Sequence, residues 1–99
     1  MDLELQEIIQ LVLDRAASDL HLKAGQPPII RVSGKLERCD LPVLSEEDVE
    51  ELILSIITEK QEETLVNNLE IDFSFGVEGL GRFRANVYKD RGTYSAALR

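Results

Sequence analysis

Ile71-Asp72-Phe73-Ser74-Phe75-Gly76-Val77 and, after four residues, Arg82-Phe83-Arg84-Ala85-Asn86-Val87 alternate apolar and polar side chains with a period of two. That period belongs to strands with one face buried and one face open. Ile71, Phe73, Phe75 and Val77 take the apolar face of the first strand, and Phe83, Ala85 and Val87 continue it on the return. Arg82, Arg84, Asn86 and Tyr88 then point outward. Glu78-Gly79-Leu80-Gly81 reads as the turn between them, Lys89-Asp90-Arg91-Gly92 as a second turn, and Thr93 to Leu98 as a third strand.

Upstream the period changes. Leu5, Ile8, Ile9, Val12, Leu13 and Ala16 recur at the three-and-four spacing of one helix face, which predicts an amphipathic helix over residues 3–17. Alternation in Asp19-Leu20-His21-Leu22-Lys23 makes a short strand, with Leu20 and Leu22 on one side and His21 and Lys23 on the other. Pro27 and Pro28 close a turn, after which Ile29-Ile30-Arg31-Val32 and Leu36-Glu37-Arg38 form a hairpin around Ser33-Gly34-Lys35. Ser45-Glu46-Glu47-Asp48 caps a helix with a buried face of Val49, Leu52, Ile53, Ile56 and Ile57. Thr58-Glu59-Lys60-Gln61 repeats the capping spacing, so a second helix follows, with Leu65, Val66 and Leu69 turned inward. The two helices cover roughly residues 45–69. One helix, three strands, two helices and three strands make an α+β domain: an antiparallel sheet of about six strands with helices on one face.

The charge is uneven. The chain has 99 residues, 43% of them hydrophobic, and a net charge of −8. Residues 82–99 nevertheless hold five bases, Arg82, Arg84, Lys89, Arg91 and Arg99, against the single acid Asp90, whereas residues 1–81 hold eighteen acids and six bases. An acidic chain of this kind is a poor general nucleic-acid binder, because that affinity rests on a basic surface. Arginine forms planar, bidentate hydrogen bonds to phosphate and carboxylate, so the basic segment is the place for one anionic ligand. Arg82 and Arg84 share a strand face, and Arg99 ends a strand that can lie antiparallel to theirs. The competing reading is a solvated sheet face kept soluble by its charges. Nine acids against Lys60 on the paired helices read first as a solvated face and second as a docking surface for a basic partner.

Little else carries chemistry. The chain lacks a phosphate-cradling Gly-x-x-x-x-Gly-Lys-Ser/Thr loop, and His21 has no Ser or Cys at any motif spacing, so catalysis by this chain alone is not expected. Asp19 and His21 share a strand face and read as interface residues. Cys39 is expected to be an inert thiol, and one His with one Cys makes no metal site. The amino terminus lacks the features of a signal peptide, and no apolar run approaches the ~18 residues of a membrane helix. A cytoplasmic domain without membrane insertion is expected.

Ala17-Ser18-Asp19-Leu20-His21-Leu22, Pro28-Ile29-Ile30-Arg31-Val32-Ser33-Gly34-Lys35-Leu36, and the stretches Leu69 to Phe75 and Gly81-Arg82-Phe83-Arg84-Ala85-Asn86-Val87 together resemble the amino-terminal domain of the PilT family. These are the twitching-motility ATPases that retract type IV pili, within the type II/IV secretion ATPase superfamily. The resemblance runs over the whole chain in order. It implies a PAS-like domain, here residues 1–99, that precedes a RecA-like motor domain which this sequence does not contain. It further implies a homo-hexameric ring in which this domain packs on the motor domain of the adjacent subunit, with ATP and Mg²⁺ as ligands of the full-length protein. Arg84 and Arg99, together with Arg82 and Arg91, are implied as contacts to the nucleotide phosphates. An inner-membrane platform protein is the implied partner, and the cytoplasmic side of the pilus base the implied location. The alternative is a stand-alone PAS-like interaction or sensory module, whose working surface would be the acidic helices.

Overall fold

The computed structural model describes residues 4–99. In chain order the elements are α1 (Leu5–Asp14), β1 (Asp19–Lys23), β2 (Ile29–Val32), β3 (Lys35–Arg38), α2 (Glu46–Leu54), α3 (Glu59–Asn68), β4 (Glu70–Val77), β5 (Gly81–Asp90) and β6 (Thr93–Leu98). The strands form one antiparallel sheet in the order β3-β2-β1-β6-β5-β4. Two strand units, each built of neighbours in sequence, therefore meet at the centre of the sheet. There Leu20 lies opposite Leu98, and Leu22 opposite Ala96.

The period-two pattern decides which face is covered. Leu20, Leu22, Phe73, Phe75, Val87 and Leu98 pack against Ile8, Ile9, Val49, Leu52 and Leu65 of the helices in one core. This is the expected α+β architecture with helices on one face. Burial of this apolar surface stabilises the domain by roughly 25 cal/mol per Å² removed from water. The residues between them in sequence, Asp19, His21, Arg84, Asn86 and Asp72 among them, are left on the open face.

Two hairpins turn through two residues whose backbones are left-handed. These are Ser33-Gly34, with φ of 51° and 81°, and Arg91-Gly92, with φ of 52° and 83°. Such turns match the twist of the strands they join. Strand β5 therefore runs on to Asp90, beyond the Lys89 at which the pattern predicts a turn.

The helices depart from expectation at their ends. Leu3, where the first helix is expected to start, lies outside the described residues. At the other end α1 stops at Asp14 instead of residue 17. Ala16 takes φ of 51°, its N–H donates to the Leu13 carbonyl at 3.1 Å, and the Ala17 N–H donates to the Val12 carbonyl at 2.9 Å. This is a Schellman closure with alanine in the position usually given to glycine. It releases the chain early enough to begin β1 at Asp19.

Both predicted capping boxes are present. The Asp48 N–H donates to Ser45 Oγ at 3.0 Å while the Ser45 N–H donates to Asp48, and Thr58 and Gln61 repeat the exchange. The second box starts a new helix, so Ile56 and Ile57 fall in the connection after α2 and are half-buried. Only Leu65 of α3 is buried; Val66 and Leu69 remain 56% and 53% exposed, contrary to the inward face expected of them. Leu69 closes α3 in the left-handed region at φ of 63°, and its carbonyl accepts the Lys89 N–H at 3.0 Å. Among the described residues no helix is long and apolar enough to cross a membrane.

Candidate functional site

The arginine-bearing strands place their side chains by ladder register. The Arg99 N–H donates to the Arg84 carbonyl at 2.8 Å, and the Arg84 N–H to the Arg99 carbonyl at 3.1 Å. Residues that exchange both backbone hydrogen bonds sit directly opposite, with Cα atoms about 5.5 Å apart. The two arginines are thus immediate neighbours on the open face. Arg82 stands two residues along the same face of β5, opposite Gly76, and its guanidinium comes within 3.4 Å of where a Cβ on that glycine would lie. Arg91 is elsewhere: it sits in the β5–β6 turn, roughly 23 Å from Arg84 at about 3.3 Å per strand residue. The structure brings Arg82, Arg84 and Arg99 together and leaves Arg91 at the opposite end of β5.

Beyond Arg99 the row continues across the sheet. Asp19 faces Arg31 by register, and the Arg31 Nε approaches Asp19 Oδ2 at 3.4 Å. On the other side Arg99 Nε approaches Asp19 Oδ1 at 3.5 Å. Ser18 Oγ donates to Asp19 Oδ2 at 2.8 Å, and Arg31 also donates to the Gly34 carbonyl at 3.0 Å. The order across the sheet is Arg31, Asp19, Arg99, Arg84 and Ser74. Arg84 makes no side-chain hydrogen bond or ion pair with the described residues. Arg31 is the member that sequence reading missed, because Ile29-Ile30-Arg31-Val32 lacks clean alternation and its neighbour is set by pairing with β1.

His21 lies on the same face, opposite Ile29 on one side and Ala97 on the other. Partial burial lowers its pKa below the usual 6.5; the Asp19 carboxylate pulls the other way, and Arg31, Lys23 and Arg99 lower it further. Its imidazole is therefore neutral at pH 7. Toward the β4 edge the charge changes sign, where Asn86 Nδ2 donates to Glu70 at 2.9 Å and to Asp72 at 3.2 Å. The open face thus has a cationic end and an acidic end. Where the cationic end meets α1, Val12, Leu13 and Phe83 wall a groove of about 200 Å³ with Arg82 and Arg99 among its lining residues.

Cys39 is buried, and burial pushes its thiol pKa up, so it stays protonated near neutrality. Among the described residues no three His, Cys, Asp or Glu side chains are gathered in a way that would hold a metal ion. The face presents guanidinium groups held in register by the strand ladders.

No family model matches the chain. The type IV pilus retraction ATPase PilT of Pseudomonas aeruginosa is 40% identical over 97 residues, covering 98% of this chain and 28% of that protein. A crystal structure of the pilus retraction motor PilT with bound ADP superposes with a TM-score of 0.93 at 46% identity, over 99% of this chain and 29% of the other. The Legionella pneumophila ATPase DotB shares the fold, with a TM-score of 0.79 at 23% identity over 95% of this chain and 27% of its own. The class is therefore a six-stranded α+β domain found within ATPases. Within that class the chain is homologous to PilT, and its match is to the amino-terminal domain of a PilT-type pilus retraction ATPase. It spans a little over a quarter of the length of these relatives.

Proposed function

We propose that this domain couples nucleotide state to domain movement in a pilus retraction ATPase, with Arg84 and Arg99 engaging the phosphates of ATP. The observation that carries this reading is the Arg84–Arg99 pair: two guanidinium side chains held side by side by reciprocal backbone hydrogen bonds, one of them without an acidic partner among the described residues. Arg82 extends the same cationic end. Arg91 is assigned a separate contact, since it lies at the far end of β5.

The magnitudes suit a switch. A hydrogen bond to a charged group contributes about 1.5–3 kcal/mol, so two arginines that lose the γ-phosphate lose about 3–6 kcal/mol. Moving a two-state equilibrium from 1:99 to 99:1 takes about 5.5 kcal/mol of differential affinity. In other nucleotide hydrolases a phosphate-facing arginine is worth on the order of 10³ to 10⁵ in rate. Here ATP and Mg²⁺ are held by a motor domain, which supplies the phosphate loop and the metal ligands, and this domain closes over the nucleotide. In a homo-hexamer that motor domain belongs to the adjacent subunit, with Asp19 and His21 at the contact. The platform protein at the inner membrane receives the movement on the cytoplasmic side.

The test is to introduce Arg84→Ala and Arg99→Ala singly into the full-length ATPase. Turnover is expected to drop at least tenfold, with loss of pilus retraction. Unchanged turnover and retraction would return the arginines to a solvated surface.

A further inference from the structure

We infer that Arg31 and Asp19 together form a charge-neutral positioning pair for Arg99, setting its guanidinium toward an anion without placing net negative charge beside that anion. This rests on the phosphate reading proposed above. Asp19 Oδ1 approaches Arg99 at Nε, at 3.5 Å, and the terminal nitrogens of Arg99 make no hydrogen bond to the described residues. The Arg99 side chain is 82% exposed, so without such a contact it would sample many rotamers. Asp19 itself is more enclosed, at 21%, and it is fixed from behind by Ser18 Oγ and by Arg31 Nε.

An isolated carboxylate here would work against phosphate binding, since like charges a few Å apart repel. Arg31 removes that difficulty. Its guanidinium lies on the side of Asp19 away from Arg99 and is anchored to the Gly34 carbonyl at the β2–β3 turn. The pair then presents Arg99 with an ion-pair partner and presents an approaching anion with little field. Its value lies in fixing an arginine before the ligand arrives, since a long side chain that must be ordered on binding loses part of the affinity its contact supplies.

The experiment removes both charges at once, so that the net charge of the chain is unchanged. In the 99-residue chain, Asp19→Asn/Arg31→Gln and Asp19→Ala/Arg31→Ala are titrated with inorganic tripolyphosphate at low salt and followed by NMR of the backbone amides and arginine Nε–H groups. About 3- to 5-fold weaker binding is expected from either pair of changes, with the Arg99 Nε–H signal moving to its random-coil position while the backbone spectrum stays folded. The same pair of changes is expected to have no further effect in an Arg99→Ala background, because it acts through Arg99. Unchanged or tighter binding, an equal loss in the Arg99→Ala background, or a random-coil Arg99 Nε–H signal in the unaltered chain overturns the inference. If Arg84→Ala and Arg99→Ala leave tripolyphosphate binding untouched while the Nε–H signal still responds to loss of the pair, the phosphate reading fails and the positioning contact stands.

Discussion

Ala16 is one of four non-glycine residues with a left-handed backbone among the described residues. A left-handed conformation costs a non-glycine residue about 1–2 kcal/mol, and glycine gives back about 0.4–1 kcal/mol through its freer unfolded chain. Ala16→Gly should therefore stabilise the domain by about 0.5–1 kcal/mol, raising the melting temperature by a few degrees in a thermal scan. His21 gives a pH signature at the same scale. Its folded pKa is lowered, so the unfolded chain takes up the proton first and stability falls as pH drops through 6.5. It is the one histidine in the chain. Urea unfolding at pH 7 and pH 5.5 should show a loss of stability that His21→Gln removes.

The helices depend on their first turns. Thr58 closes a capping box with Gln61, and α3 buries only Leu65, so little else fixes where that helix begins. Thr58→Ala should cost about 1 kcal/mol in chemical denaturation, in line with other lost caps. At α2 the Ser45 backbone N–H holds the Asp48 carboxyl below its usual 3.8, so the support that Asp48 gives is lost as pH falls through that region. These starts were legible because Ser-x-x-Asp and Thr-x-x-Gln are chemical statements about orphan amides. The helix ends were not. Ala16 and Leu69 adopt left-handed backbones that no residue preference announces, and α1 consequently stops two residues before its apolar pattern does. The strands were readable from β4 and β5 outward, since alternation specifies a face. What alternation cannot specify is the neighbour: pairing alone set Arg84 against Arg99 and Asp19 between Arg31 and Arg99, and it carried Arg91 away from them.

At the scale of the whole molecule, one core joins both strand units to all three helices, and Ile8 is wholly enclosed within it. Ile8→Ala should cost about 2–5 kcal/mol, against a total of about 5–15 kcal/mol for a domain of this size. Circular dichroism should show a melting transition lowered by about ten degrees or more. The central place of β6 has a mechanical meaning as well. It runs antiparallel to β1 and β5, with four paired residues on one side and six on the other. A tug on Arg99 along the strand axis loads both ladders in shear, so their hydrogen bonds must fail together, whereas edge strand β3, held by four pairs on one side, can be peeled away bond by bond. The arginine at the end of β6 is accordingly a stiff handle by which to pull the domain.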